Sequence, residues 1–304
     1  MTKVYVCSPS SAVRRAAEVH RGVRRLQAMG LTVELDASAL ARDSRFAGSD
    51  VQRLEALQRA AASGADVVLT TRGGYGLSRL LPRLPYAAMA RSIARGTQWV
   101  GFSDFTALQL ALLAKRGAVT WQGPALIEDF GQTEAPHALT LACWGDALAG
   151  VGEGVGWRVP AAQAANRSWQ PLTLWGGNLS MVASLVGTPY LPNVARGALF
   201  LEDVGEAPYR VERMLSQLAH AGVLQKQKLI LLGAFNRFTP SRQDAGFGLT
   251  QVWQWLQANC NATVLTGLPF GHGRPKVMLP VGASVQVRQE GREVLLHWGE
   301  VSRV

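Results

Sequence analysis

The chain is predicted to be an α/β protein whose first half forms a parallel β-sheet with crossover helices. Short apolar runs alternate there with helical patterns, which is typical of parallel strands joined by helices. Hydrophobic residues make up 48% of the 304 residues and charged residues 17%. This is an ordinary globular composition, and the length is sufficient for two domains with a sizeable core.

Five strands are predicted in the first half, at about 4–7, 32–35, 67–70, 99–101 and 119–121. Helices are predicted at about 11–29, 51–63, 76–92, 104–115 and 136–149. The segment from Gly150 to Arg167 is rich in glycine and has no clear apolar period, which favours a domain boundary. We therefore expect an N-terminal domain at 1–150, a linker at 151–167 and a C-terminal domain at 168–304. The second half has mixed strands with fewer helices, which predicts a mixed α/β domain.

Several classes of protein are disfavoured by the sequence. No apolar stretch approaches the ~20 residues of a membrane helix, and the N-terminal run is too short for a signal peptide, so we expect a cytoplasmic protein without a membrane partner. Cys7, Cys143 and Cys260 lack metal-ligand spacing, and no phosphate-cradle or dinucleotide motif is present. We expect neither a metal nor a cofactor.

The net charge of +10 comes partly from arginines on the first predicted helix. A solvated outer face is the favoured explanation, and electrostatic attraction of anionic substrates is the alternative. No nucleic-acid motif accompanies the charge, so no nucleic-acid partner is expected.

Ser103 is the first candidate for chemistry. An apolar strand ends at Gly101, Ser103 lies at the turn, and a helix begins with Asp104 in its first turn. A strand-turn-helix elbow exposes a serine hydroxyl and directs backbone N–H groups at what it attacks. The match to G-x-S-x-G is partial because Phe105 replaces the second glycine. Taken alone, the segment favours a helix cap over a nucleophile.

A serine nucleophile needs a base and an acid that orients the base. Of five histidines, only His272 lies in a glycine-rich connection after an apolar strand, where catalytic groups tend to occur. Glu202 and Asp203 directly follow another apolar run, and spacing alone does not choose between them.

A glycine-rich turn follows the third strand. Gly73 and Gly74 permit close backbone approach, so their N–H groups are candidates for half of an oxyanion hole. A tight turn without a ligand is an equal explanation. Arg72, beside this turn, is a candidate for binding a substrate carboxylate or for a structural ion pair. Asn178, at a predicted helix N-terminus, is a candidate substrate contact, although a helix cap is favoured.

Six segments together resemble the LD-carboxypeptidase family (muramoyltetrapeptide carboxypeptidases), in the serine peptidase clan that also contains the microcin-immunity peptidases. The resemblance spans nearly the whole chain and rests on R-G-G-Y-G at 72–76, G-F-S-D at 101–104, L-W-G-G-N-L at 174–179, L-E-D at 201–203, Y-R-V-E-R-M-L at 209–215 and F-G-H at 270–272.

The family pattern implies Ser103 as nucleophile, with Glu202 and His272 completing a triad. It implies a flavodoxin-like N-terminal domain, a smaller C-terminal domain and a triad assembled across the cleft between them. The oxyanion hole would use the N–H of Asp104 and that of Gly73 or Gly74. The implied activity is release of the terminal D-alanine from murein tetrapeptides in cell-wall recycling. An immunity-type peptidase that cleaves aminoacyl-nucleotide antibiotics is the alternative. Family members are commonly homodimers.

Overall fold

The computed structural model describes residues 1–151 and 154–299 of the chain. The helices are α1 Ala16–Ala28, α2 Asp50–Ala62, α3 Tyr86–Ala94, α4 Phe105–Arg116, α5 Ala138–Ala149, α6 Leu179–Ser184, α7 Pro208–His220 and α8 Leu249–Ala258. The strands of the first half are β1 Lys3–Cys7, β2 Thr32–Leu35, β3 Val67–Thr70, β4 Gln98–Gly101 and β5 Thr120–Gln122. Those of the second half are β6 Gly154–Arg158, β7 Arg167–Asn178, β8 Ala198–Val204, β9 Leu229–Asn236, β10 Thr263–Thr266, β11 Leu279–Val281, β12 Ser284–Glu290 and β13 Glu293–His297.

The first sheet contains five parallel strands in the order β2-β1-β3-β4-β5. This is the flavodoxin-like order, in which binding sites form beyond the carboxyl ends of the strands. All four residues of β3 are buried, as expected for a central strand covered by helices on both faces. The predicted α/β class is confirmed, and the five strands lie within one residue of their predicted positions.

The second sheet has seven strands in the order β10-β9-β8-β7-β12-β13-β6. Strands β7 to β10 are parallel, and β12, β13 and β6 extend the sheet with antiparallel pairing. Residues of β12 alternate between exposed and buried, which is the pattern of a strand with one solvated face. Mixed strands were predicted for this half, and the sheet confirms them.

Each half of the chain contacts the other. Strand β11, late in the chain, pairs antiparallel with β5 at the edge of the first sheet. Strand β6 lies within the predicted linker and pairs with β13 of the second sheet. Residues 152–153 of that linker and 300–304 of the predicted C-terminal domain lie outside the described residues. One of the two apolar clusters of the described residues includes Phe102 from the first half and Phe270 from the second.

The helix predicted at 76–92 is wrong in its first part. Two 3-10 turns, Leu77–Arg79 and Leu81–Arg83, precede α3. Pro82 and Pro85 lack a backbone N–H, so neither can donate to the carbonyl that a continuous helix would offer it. The Leu77 N–H, at the start of the first 3-10 turn, donates instead to Asp104, which directly precedes α4.

Among the described residues, no helix is long and apolar enough to cross a membrane.

Candidate active site

Ser103 lies on a sharp turn between β4 and α4. Its backbone φ is +63°, a left-handed conformation that a residue with a Cβ adopts only at a cost of about 1–3 kcal/mol. The turn continues into the helix through a hydrogen bond from Thr106 N–H to the Ser103 carbonyl, at 2.9 Å. Phe102 on one side and Asp104 on the other are almost fully buried. The flanking residues therefore hold Ser103 in a strained, half-buried position at the carboxyl edge of the first sheet.

The glycine turn, residues 73–76, approaches Ser103 closely. A Cβ atom at Gly73 would lie 2.5 Å from the Ser103 Cβ and 2.9 Å from its Oγ, so only glycine fits there. A Cβ at Gly74 would instead collide with the hydroxyl of Ser11. Within the described residues, the N–H groups of Gly73 and Asp104 have no hydrogen-bond acceptor. Two free donors therefore belong to residues that adjoin Ser103, since Asp104 follows it in the chain and Gly73 packs against its side chain.

His272 is bound by Glu202 through two hydrogen bonds. Its ring Nδ1 lies 2.8 Å from Glu202 Oε2, and its backbone N–H donates to the same oxygen at 3.2 Å. Glu202 lies in the buried part of β8 and is 0% exposed, while the Gly271–His272 loop follows β10. A carboxylate offers only acceptors, so the Nδ1 proton points at Glu202 and leaves Nε2 free to accept a proton.

Asn178 separates the two adjacent carboxylates. Its side-chain Nδ2 donates to Glu202 Oε1 and to Asp203 Oδ1, both at 3.1 Å. Its Oδ1 accepts the Met181 N–H at 3.2 Å, so the favoured helix cap is present. Asp203 accepts from the Ser180 N–H and hydroxyl at 2.9 and 2.7 Å. Burial raises the pKa of the Asp203 carboxyl above its ordinary value, against the opposing hydrogen bond from Ser180.

Phe102 joins the elbow to the His272 loop. The centroid of its ring lies 4.4 Å from that of His272 and 5.5 Å from that of Phe270. The Lys276 ammonium lies 3.8 Å from the centroid of the Phe102 ring and 2.9 Å from Asp129 Oδ2. Lys276 is only 2% exposed. A cation over the ring face and a paired carboxylate together stabilise the position of Phe102, which precedes Ser103.

A cleft of about 480 Å³ opens beside His272. It carries both signs of charge, since it is lined by Glu128, Asp129, Gln132, Glu134, Arg237, His272, Gly273, Arg274 and Lys276. Arg72 does not line this cleft. In the described part of the chain Arg72 forms no ion pair, and its buried Nε has no hydrogen-bond partner. No set of three or more His, Cys, Asp and Glu side chains placed to hold a metal ion occurs among the described residues.

Two stretches of the chain match known protein domains. Residues 4–123 match the LD-carboxypeptidase N-terminal domain, and residues 173–287 match the LD-carboxypeptidase C-terminal domain. The murein tetrapeptide carboxypeptidase of Pseudomonas aeruginosa is 30% identical over 290 residues, which cover 92% of this chain and 91% of that protein.

The chain belongs to the LD-carboxypeptidase family of serine peptidases. The crystal structure of muramoyltetrapeptide carboxypeptidase from Oxalobacter formigenes superimposes with a TM-score of 0.87 at 36% identity, covering 98% of this chain and 99% of that one. The microcin C7 self-immunity protein MccF of Escherichia coli is 27% identical over 255 residues, 75% of this chain and 72% of that protein. A structure of MccF with glutamyl sulfamoyl guanosine shares the fold, with a TM-score of 0.85 at 22% identity over 99% of this chain and 97% of that one.

Within this family member, the fold brings Ser103 against Gly73 and brings Glu202 against His272. Phe102 connects the two groups. Lys276 and Asp129 were not among the site residues predicted from the sequence. A signal was present, because Lys276 is the only charged residue in the run Pro275–Val281. A lone lysine in a buried run requires a buried partner.

Proposed function

We propose that this protein is a serine carboxypeptidase that hydrolyses the L,D-amide bond to the terminal D-alanine of murein tetrapeptides. The observation that carries the proposal is the strained Ser103 elbow beside a buried Glu202–His272 pair. Nucleophile, base and orienting acid are the components of a serine hydrolase, whatever the order in which the chain supplies them.

The proposed reaction is acyl transfer in two steps. His272 Nε2 takes the Ser103 hydroxyl proton while Ser103 Oγ bonds to the amide carbonyl carbon. The C–N bond then breaks, the proton passes from His272 to the leaving D-alanine nitrogen, and an acyl-enzyme remains. Water, deprotonated by His272, cleaves the ester and regenerates Ser103. Glu202 holds the imidazole tautomer and stabilises its protonated form.

The free N–H groups of Gly73 and Asp104 are the proposed oxyanion hole. A hydrogen-bond donor directed at the developing oxyanion lowers the barrier more than it aids substrate binding. Gly73 is favoured over Gly74 because its backbone contacts Ser103.

In the described residues, Ser103 and His272 share no hydrogen bond. We therefore infer that the base reaches the hydroxyl when substrate fills the cleft.

The cleft beside His272 supports an ionic peptide as substrate. Arg237 and Arg274 supply positive charge where a peptide carboxylate would lie, and Glu128 supplies negative charge.

Arg72 remains a proposed substrate ligand, since it has no ion-pair partner among the described residues. Asn178 is committed to Glu202 and Asp203, so we propose that it acts through Glu202. The cytoplasmic location and the homodimer remain predictions.

The decisive experiment measures D-alanine released from murein tetrapeptide. We expect Ser103→Ala to fold normally and to release none, with Ser184→Ala, an exposed serine on α6, as the matched control that keeps full turnover. Turnover by Ser103→Ala would refute the assignment of the nucleophile. Cleavage of an aminoacyl-sulfamoyl nucleoside by the wild type, without D-alanine release, would favour an immunity-type peptidase over the proposed carboxypeptidase.

A further inference from the structure

One peptide group at the end of the glycine turn is bound at both of its polar atoms. The Leu77 N–H donates to Asp104 Oδ2 at 3.0 Å. The Gly76 carbonyl, on the same peptide group, accepts from Arg53 Nη1 at 3.0 Å. Asp104 is the neighbour of Ser103, whereas Arg53 projects from α2. Two side chains of opposite charge therefore hold a single peptide from opposite sides.

Both charged side chains are buried. Arg53 is 0% exposed and Asp104 is 1% exposed. Arg53 also donates to the Pro9 carbonyl at 2.9 Å and to Asp50 Oδ1 at 2.6 Å. Burial raises the pKa of the Asp104 carboxyl, against the opposing effects of the Leu77 N–H and the Arg53 charge. Apolar side chains of similar size are often no less stable at such positions, so stability alone is a weak reason for these charges.

Gly76 is required for this arrangement. A Cβ atom there would lie 2.6 Å from Arg53 Nη1, and its φ of +151° is unfavourable for residues with a side chain. The turn thus has glycine at each end, one where it meets Ser103 and one where it meets Arg53. Between these contacts the chain has few bonds of its own, apart from those that join Tyr75 to Ser11.

We propose that Asp104 and Arg53 are a positioning pair that fixes the glycine turn relative to the Ser103 elbow. This inference rests on the proposed function, because the distance that the pair sets is that between the two oxyanion donors. Asp104 contributes one donor through its own N–H and, through its carboxylate, holds the loop that carries the Gly73 N–H. The positions of both oxyanion donors therefore depend on Asp104.

The pair should act on the transition state and not on substrate binding. The ground-state carbonyl is held mainly by the rest of the peptide, whereas the oxyanion needs both donors in place. A donor displaced by about 1 Å lowers the rate by roughly 10- to 100-fold. Loss of the pair should therefore lower kcat and leave KM nearly unchanged.

Three variants test the pair by D-alanine release. Asp104→Ala removes the acceptor for Leu77, and we expect kcat to fall roughly 10- to 100-fold with KM within about twofold of wild type. Asp104→Asn keeps an oxygen acceptor, and we expect kcat to recover to within about threefold of wild type. Asp36→Ala is the control, since Asp36 is also a buried carboxylate paired with an arginine in the same half, but contacts neither loop. It should lose stability and keep kcat.

A second measurement follows the loop itself. Hydrogen–deuterium exchange of the segment 72–80 should be faster in Asp104→Ala than in wild type, and unchanged in Asp104→Asn and in Asp36→Ala. If Asp104→Ala does not fold, Arg53→Lys replaces it. A single ammonium lacks the guanidinium fork that reaches Gly76, Pro9 and Asp50 together, and we expect the same loss of kcat.

The inference is overturned if the kcat of Asp104→Ala stays within twofold of wild type, or if the kcat of Asp104→Asn falls as far as that of Asp104→Ala. It is also overturned if KM rises in proportion to the loss of kcat, because that indicates a collapsed site. Failure of the proposed function looks different, since the wild type would then release no D-alanine. In that case the exchange comparison alone decides whether the pair holds the turn.

Discussion

Two neighbouring acids on β8, Glu202 and Asp203, have different roles because their carboxylates bind different groups. Glu202 points to His272, whereas Asp203 binds the start of α6 through Ser180. The amide of Asn178 lies between them and donates to both, which relieves the repulsion between their charges.

The Ser103 elbow could be predicted from a local pattern in the sequence. The choice of Glu202 came from the family resemblance, because strand alternation does not tell which face meets a histidine some 70 residues later.

Substitution of the two acids should separate their roles. We expect Glu202→Gln to lower kcat for D-alanine release by about 10³- to 10⁴-fold, because a neutral partner no longer holds the tautomer or stabilises the protonated ring. Asp203→Asn should lower the free energy of unfolding and change kcat far less. Steady-state kinetics combined with urea denaturation distinguishes them, and equal losses of kcat would contradict the division of roles.

The buried pair of Lys276 and Asp129 should matter for stability. Lys276→Met leaves the Asp129 carboxylate buried and unpaired, which lowers the free energy of unfolding by about 3 kcal/mol. The double variant Lys276→Met/Asp129→Asn should recover most of this loss, because the neutral amide introduced there would still accept the Ala125 N–H. Urea denaturation of the single and double variants measures both. A double variant as unstable as the single one would contradict this pairing.

At the scale of elements, periodicity predicted the central strands well because each is a short apolar run covered on both faces. Periodicity failed over the first part of the helix predicted at 76–92, where Leu77 donates to Asp104 and not to a helical carbonyl. It also treated the arginines of the helix predicted at 11–29 as a solvated face. Arg14 and Arg15, which precede α1, and Arg24 within it are exposed, but Arg21 donates to the Gly131 carbonyl and Arg25 to the Phe130 carbonyl. Contacts of this kind depend on which loop the fold brings to the helix, and local sequence does not contain that information.

The junction of β2 with α2 should make stability depend on pH. Burial alone raises the pKa of Asp36, but hydrogen bonds from Arg59, Tyr5 and Ser38 outweigh it and hold the pKa well below its usual range. A depressed pKa stabilises the fold above the unfolded value of about 4, and this contribution is lost as pH falls through the folded value. Asp36→Asn should therefore lower the free energy of unfolding by about 2 kcal/mol at pH 7. The loss is no larger because Arg59 is partly exposed. The difference in unfolding free energy between wild type and variant should be smaller at pH 3 when measured by urea denaturation, and a difference that does not change with pH would refute the linkage.

On the scale of the whole molecule, the two sheets are joined by buried bonds. Thr106 lies in α4, the helix that follows Ser103. Its Oγ1 accepts from Gln122 Nε2 of the first sheet at 2.7 Å and from the Asn178 N–H of the second sheet at 3.1 Å. The Asn178 residue that supports Glu202 is thus tied to the helix that presents Ser103. The sequence predicted the α/β class of both halves, but not that β11 returns to the first sheet. Its three residues pair with β5 across a long separation in the chain, which no local pattern records.

Because β11 completes the first sheet, we expect the chain to unfold as one cooperative unit. Leu279 is fully buried in β11, so Leu279→Ala should cost about 3 kcal/mol through lost burial and the cavity it leaves. If the sheets unfold together, calorimetry will show one transition for wild type and one transition at lower temperature for the variant. Leu295→Ala, an exposed position on β13, is the matched control and should leave the transition temperature almost unchanged. Two separate transitions, with only one shifted by Leu279→Ala, would mean that the halves fold independently and that β11 is a docked segment instead of a shared strand.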